Sequence, residues 1–264
     1  MVKIIDAELE HILSDNFSGS TYVLDKINDW LIFNFKESLP PIKLLDLIQE
    51  RAESFNNVQN YIEQLKNILR ENSFNEFTEF LKNYEFTKYS KYENIFLNAQ
   101  FELKNYRSFL TISNSCTIEL LLKYLFDKNN QINVTVCESR PVMEGRLMAE
   151  KLSNYGIGVN LITEAMIAEY SPKADCAILG ADKIFNDGSV LNKIGSNLIA
   201  ISCKYFEKPC YVISDKSKFT TSNNFAQKQH PRSEIWNNEK DKILINNHYF
   251  EIVENSLITK IISD

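Results

Sequence analysis

Five short apolar runs between residues 106 and 216, each closed by polar residues, constrain the fold of this 264-residue chain more than anything else in it. Phe109-Leu110-Thr111-Ile112 ends in Ser113-Asn114-Ser115, and Val134-Thr135-Val136-Cys137 ends in Glu138-Ser139-Arg140-Pro141. Val159-Asn160-Leu161-Ile162 ends in Thr163-Glu164, Cys176-Ala177-Ile178-Leu179 breaks at Gly180, and Cys210-Tyr211-Val212-Ile213 ends in Ser214-Asp215-Lys216. Runs this short suit buried strands better than helices. Segments of helical period separate them, carrying Ile118, Leu121, Leu122 and Leu125, then Leu147, Met148 and Leu152, then Met166 and Ile167. The pattern spells βαβ units with right-handed crossovers, hence an α/β fold with a parallel sheet covered by helices on both faces. All five polar ends then gather on one edge, where open parallel sheets bind their ligands.

Ahead of this region the apolar period is helical throughout. Ile4, Leu9, Ile12 and Leu13 form one stripe. Ser18-Gly19-Ser20 can cap a second helix bearing Val23, Leu24, Ile27, Trp30, Leu31 and Phe33, and Pro40-Pro41 opens a third with Leu44, Leu45 and Leu47. Further amphipathic segments cover 58–69, 74–81 and 92–103. The expectation is a helical N-terminal domain over residues 1–105 and a ligand-binding α/β domain over 106–264. Beyond residue 219 the chain is less regular, with Lys242-Ile243-Leu244-Ile245 and Phe250-Glu251-Ile252-Val253 as short extended candidates.

A net charge of −6 without any clustered Lys/Arg run argues against direct nucleic-acid binding. No stretch nears the roughly 18 consecutive apolar residues of a spanning helix, and the first residues lack a signal-peptide core, so the expected setting is cytoplasmic with no membrane partner. The five cysteines show no CxxC spacing and the three histidines are scattered. They read as buried thiols and isolated rings, and neither a metal site nor a cofactor is expected.

The stretch 175–196 is the default site. Gly180 opens a loop holding Asp182, Asn186, Asp187, Asn192 and Lys193, ahead of a helix near Ile194 with Leu198, Ile199 and Ile201 as its apolar face. Six of the seven glycines lie from Gly145 to Gly195, so the backbone there is sterically demanding. Arg140, Lys193 and Lys218, with helix N-termini near 113–116 and 192–195, suit a phosphate held by charge-assisted hydrogen bonds and backbone N–H groups. Arg140 has the alternative of bridging Glu138 or Asp182. Asp182 is either a loop cap or, if partly desolvated, a general base.

The same residues carry a resemblance. Cys137-Glu138-Ser139-Arg140-Pro141, Gly156-Ile157-Gly158-Val159, Leu179-Gly180-Ala181-Asp182-Lys183-Ile184 and Leu191-Asn192-Lys193-Ile194-Gly195-Ser196 closely resemble a superfamily with two arms. One arm is the alpha, beta and delta regulatory subunits of eukaryotic translation initiation factor 2B; the other is the isomerases of methylthioribose 1-phosphate and ribose 1,5-bisphosphate. The resemblance implies a helical N-terminal domain, a Rossmann-like sheet and a dimer. In the isomerases it implies a cysteine thiol and an aspartate that move protons between C1 and C2. The aspartate falls on Asp182, and the cysteine falls on Ser113 within Thr111-Ile112-Ser113-Asn114. A hydroxyl there is a far poorer acid than a thiol, and Cys116 lies one helical turn further on. The family's arginine-bearing phosphate loop matches Ser18-Gly19-Ser20, which keeps Gly19 but has Ser18 for the arginine; Leu39 replaces a second arginine.

Three readings follow from the resemblance. The first is a regulatory-subunit-like protein, catalytically weakened, that binds a sugar phosphate or nucleotide and works as a homodimer or family-type assembly. The second is an active aldose–ketose isomerase that uses Asp182 with Cys116 as a relocated thiol. The third is a scaffold that pairs through its sheet domain and has lost its pocket.

Overall fold

The computed structural model of the protein describes residues 6–15, 18–71, 73–128, 131–222, 225–237, 240 and 242–264. Ile4 of the first expected stripe, and Asn16 and Phe17, lie outside the described residues. Helices α1 (Ala7–Leu13), α2 (Ser20–Asn34), α3 (Ile42–Arg51), α4 (Asn56–Arg70) and α5 (Phe74–Leu103) open the chain. Their starts are chemically marked: the Asp6 carboxylate accepts the Leu9 N–H, Pro41 caps α3, and Ser73 Oγ accepts the Glu76 N–H. The stripes face inward, with Leu9, Ile27, Leu31, Leu45, Ile48, Ile62 and Leu65 in one core. Phe33 is the exception and faces solvent.

The segments 74–81 and 92–103 are parts of the single 30-residue helix α5. Its Phe77 and Leu81 complete the N-terminal core, while Tyr92, Ile95, Ala99 and Leu103 pack against the sheet. One rod therefore enters both cores and fixes the helical layer against the α/β layer.

The rest of the chain runs β1 (Ser108–Ile112), α6 (Cys116–Lys128), β2 (Asn133–Cys137), α7 (Gly145–Asn154), β3 (Gly158–Ile162), α8 (Ile167–Tyr170) and β4 (Cys176–Leu179). It continues through β5 (Lys183–Ile184), β6 (Val190–Lys193), α9 (Ser196–Tyr205), β7 (Cys210–Ile213), β8 (Phe250–Val253) and β9 (Lys260–Ile262). The five apolar runs form β1, β2, β3, β4 and β7, in a six-stranded parallel sheet of order β3-β2-β1-β4-β7-β9. Successive residues on a strand point to opposite faces. Phe109, Val134, Val136, Cys176 and Ile178 accordingly pack against α5, α6 and α7, and Leu110, Ile112, Ala177, Leu179 and Val212 pack against α8 and α9.

Three sequence readings change. Residues 183–193 form the hairpin β5–β6, not a loop, and β8 pairs antiparallel with β6 to make a three-stranded second sheet. Residues 242–245 form no strand. On α9, Ile199, Ala200 and Cys203 are buried, whereas Leu198 and Ile201 face outward with Tyr205. Among the described residues no helix is long and apolar enough to cross a membrane.

Candidate functional site

The sheet order fixes where a site can form. From β1 the chain winds outward to β2 and β3, and from β4 it winds the other way to β7 and β9. The strands β1 and β4 pair only through Phe109↔Cys176 and Leu110↔Ala177, toward their N-terminal ends. Their carboxyl ends are free to diverge, which gives the crevice at the point where the winding reverses. The loops α1–α2 and α3–α4 close over it. Gly19 caps α2 there, and a Cβ at Gly19 would lie 3.1 Å from the Asn114 carbonyl oxygen.

A cavity of about 120 Å³ remains between the two layers. Ser113, Glu144, Asp182 and Lys193 line it from the sheet side, Ser18 and Gly19 from the helical side, and His230 and Tyr249 from the tail. Ser113 holds a left-handed φ of 71°, as do Ser139 at 69° and Met143 at 65° nearby. Backbone strain of this kind clusters where a chain must aim specific groups. The strained turns here are tied together: the Ser113 N–H donates to Ser139 Oγ at 2.8 Å, and the Ser139 N–H donates to Glu164 Oε1 at 2.7 Å.

Two buried lysines dominate the floor. Lys193 Nζ lies 2.9 Å from Glu144 Oε1, which also accepts the Ser113 hydroxyl at 2.8 Å; the other carboxylate oxygen, Oε2, is buried without a hydrogen-bond partner among the described residues. The Lys193 ammonium also sits 4.8 Å from the Tyr249 ring centroid, a favourable cation–π position. Lys218 Nζ donates to Ser20 Oγ at 2.8 Å and to the Ala181 carbonyl at 2.6 Å, and the Ser20 hydroxyl hydrogen-bonds Asp182. Burial lifts the Asp182 carboxyl above its ordinary range, and Lys218, Ser20, Lys193 and Lys183 only partly pull it back.

Sequence-nominated residues separate into two groups. Ser113, Gly19, Asp182 and Lys193 meet in the cavity, and Lys218 supports it from beneath through Ser20. Arg140 does not line it: its guanidinium is exposed, 3.6 Å from Met143 Sδ, and Glu138 is bridged by Arg146 at 2.7 Å. Asn192, next to Lys193 on β6, points to the opposite face and donates to Ser196 Oγ at 2.9 Å. Cys116 lies outside the cavity, and the Tyr92 hydroxyl donates to its sulfur at 3.9 Å. Burial pushes the Cys116 thiol up, which opposes thiolate formation.

The two helix N-termini expected to cradle phosphate are filled by the chain itself. Glu251 of β8 accepts the Gly195 N–H at 2.6 Å and the Asn197 N–H at 2.9 Å, so a native carboxylate sits at the start of α9. At α6 the Ser115 hydroxyl accepts the Ile118 N–H at 3.4 Å and Gly19 packs against Asn114. Around the cavity Arg51, Lys193 and Lys228 face Asp15, Glu144 and Asp182, three charges of each sign. Such a wall offers carboxylates and serines to ligand hydroxyls and three cationic side chains to a phosphate.

Sequence reasoning missed Glu144, Ser20, His230 and Tyr249. Glu144 had one signal: a Cβ on the adjacent Gly145 would lie 1.9 Å from the Cys137 carbonyl oxygen, so that loop must fold back onto the end of β2. His230 stacks on Tyr249 with centroids 3.5 Å apart, and Tyr249 donates to Glu234 at 2.7 Å, contacts made by a tail without periodicity.

A family model described as the initiation factor 2 subunit family matches residues 44–264. A putative translation initiation factor eIF-2B subunit 2-like protein of Pyrococcus furiosus is 38% identical over 110 residues, which cover 42% of this chain and 40% of that one. A ribose 1,5-bisphosphate isomerase of Archaeoglobus fulgidus is 30% identical over 125 residues, 47% of this chain and 40% of the relative. These matches thus span well under half the length of either relative. Among solved structures, a chain of the tetrameric eIF2B-beta2-delta2 complex from C. thermophilum superposes with a TM-score of 0.77 at 16% identity, covering 100% of this chain and 92% of that one. That likeness is one of fold.

Proposed function

Because the chain belongs to the initiation factor 2 subunit family, we propose that it is a regulatory-subunit-like protein of the initiation factor 2B type whose interlayer cavity binds a small phosphorylated sugar or nucleotide without isomerising it. The carrying observation is Ser113, whose hydroxyl occupies the position the resemblance gives to a thiol and donates to the buried Glu144 carboxylate. That carboxylate is in turn paired with Lys193. A hydroxyl so engaged is a poor proton donor to a substrate carbon, and among the described residues no cysteine lines the cavity. Asp182 and Lys193 remain as groups for ligand hydroxyls and a phosphate, with Lys218 bracing Ser20 beneath them. The test is a thermal shift with ribose 1,5-bisphosphate and AMP. Stabilisation that Asp182→Asn reduces supports the reading, and no shift from any phosphorylated metabolite favours the scaffold instead.

The proposed setting is cytoplasmic and the proposed form a homodimer or family-type assembly. Leu198, Ile201 and Tyr205 support association, since they stand at i, i+3 and i+7 as an exposed apolar stripe on α9. A second reading, an active aldose–ketose isomerase, is favoured by one feature, the raised pKa of the buried Asp182 carboxyl. It would need Cys116 to act, so activity abolished by Cys116→Ala would support it.

A further inference from the structure

The tail brings one titratable group to the Asp182 cavity that has so far been given no role. His230 lines the cavity, half-buried, together with Tyr249, Lys193 and Lys228. Its ring stacks on that of Tyr249 with 8° between the planes, and its backbone N–H donates to the Asn247 carbonyl at 2.9 Å. These contacts fix the imidazole without using its nitrogens. Among the described residues the ring makes no hydrogen bond, and neither nitrogen is one of the buried polar atoms sealed away from solvent.

The charges around this ring decide what it can bind. On the tail, Lys228 lines the cavity beside it, His248 Nδ1 lies 3.1 Å from the Lys228 carbonyl oxygen, and Glu234 accepts the Tyr249 hydroxyl at 2.7 Å. From the other elements around the cavity come Lys193 of β6, Arg51 of α3, Asp15, Asp182 and Glu144, the last paired with Lys193 at 2.9 Å. Burial first, then Lys228, Lys193 and His248, hold the imidazole below its ordinary pKa, while Glu234 pulls the other way. The ring is therefore largely neutral near neutral pH, and an anion placed against it would favour its protonated, doubly donating form.

We propose that His230 contacts the ligand's phosphate, donating a ring N–H to a phosphate oxygen, and that binding takes up a proton at its imidazole. His230 has this role only if the cavity binds a phosphorylated ligand, as proposed above; the residue then selects for the phosphate and makes its binding depend on pH. The sign follows from the bound ring holding its proton more tightly than the free one. Affinity is greatest at pH values below the free ring's pKa and is lost as pH rises through that of the bound ring. The phosphate's own second ionisation, at about pH 6, acts in the opposite direction, since the dianion binds cations better than the monoanion does.

Calorimetric titration of the full chain with ribose 1,5-bisphosphate and AMP, with ribose and adenosine as phosphate-free controls, tests this. The expected affinity for at least one phosphorylated compound falls about threefold or more from about pH 6.5 to about pH 8.5, as it must if the anion raises the imidazole pKa by about 1–2. His230→Gln keeps an N–H donor that does not titrate, and in it the decline should vanish. Proton NMR of the natural chain reads the ring itself even if that variant fails to fold: of the three histidines, the His230 Cε1–H should titrate at higher pH with the ligand than without it. Binding of a phosphorylated compound whose decline persists in His230→Gln, or that leaves the His230 titration unmoved, overturns the proposal while the phosphorylated-ligand reading stands. Equal pH-dependent binding of ribose or adenosine overturns the phosphate contact, and no binding of either phosphorylated compound overturns the proposal and that reading together.

Discussion

Replacing Lys193 by methionine isolates the energetics of the site floor. Lys193 is 7% exposed and Glu144 1%, with 2.9 Å between ammonium and carboxylate. Methionine keeps the packing volume but leaves the carboxylate with the Ser113 hydroxyl alone, one of its oxygens being unpartnered already. Stranding one member of a buried pair costs about 3–5 kcal/mol. At roughly 2.1 cal/mol/K of unfolding entropy per residue, 264 residues give about 0.55 kcal/mol/K, so Tm should fall by about 5–9 °C. Glu144→Gln strands the ammonium instead, partly shielded by the Tyr249 and Phe250 rings at 4.8 and 5.5 Å. In the double variant neither charge is left alone, and the introduced amide can still accept from Ser113. Its cost should be below about 1.5 kcal/mol, which makes the coupling in the cycle at least about 2 kcal/mol. Urea unfolding followed by tryptophan fluorescence measures all four corners. A Lys193→Met cost below about 1 kcal/mol, or a double variant as unstable as the two singles summed, refutes the reasoning.

Further outcomes follow from other parts of the structure. Because burial raises the Asp182 carboxyl, the folded chain keeps this proton at pH values where the unfolded chain has released it. The group's contribution to stability therefore falls as pH rises through that interval, and unfolding across acidic to neutral pH should show a decline that Asp182→Asn lacks. Gly145→Ala drives a Cβ to 1.9 Å from the Cys137 carbonyl oxygen, and denaturation should show a loss of about 3 kcal/mol. Leu198→Asp with Ile201→Asp, both outward on α9, should leave monomer stability within about 0.5 kcal/mol while abolishing the proposed self-association, read by light scattering.

The parallel sheet was legible because each of its first five strands is a compact apolar run ended by local polar residues, even in the edge strand β3, where only Ile162 is buried. The helical layer was legible for the corresponding reason, its stripes at a 3.6 period. The hairpin was not. Strand β5 has two residues, and β6 carries Asn192 and Lys193, whose burial depends on β8 about sixty residues later, a partner invisible in local pattern. At the site, Asp182 and Lys193 were legible as polar residues at or near strand ends. Arg140 carried the same signal yet faces solvent, because the 138–144 turn aims Glu144 inward instead. The helix N-termini misled in the same way: a vacant dipole end in the sequence is filled by Glu251, a residue that only the fold brings there.

The most direct measurement of function is carbon-13 NMR of ribose 1,5-bisphosphate incubated with the purified protein, followed at C1 and C2. The expected spectrum keeps the aldose resonances unchanged at protein concentrations that give ligand-dependent stabilisation, because the cavity presents the Ser113 hydroxyl and no thiol to move the proton. Appearance of the C2 ketone of ribulose 1,5-bisphosphate, lost on Asp182→Asn, would contradict that expectation and make the protein an isomerase.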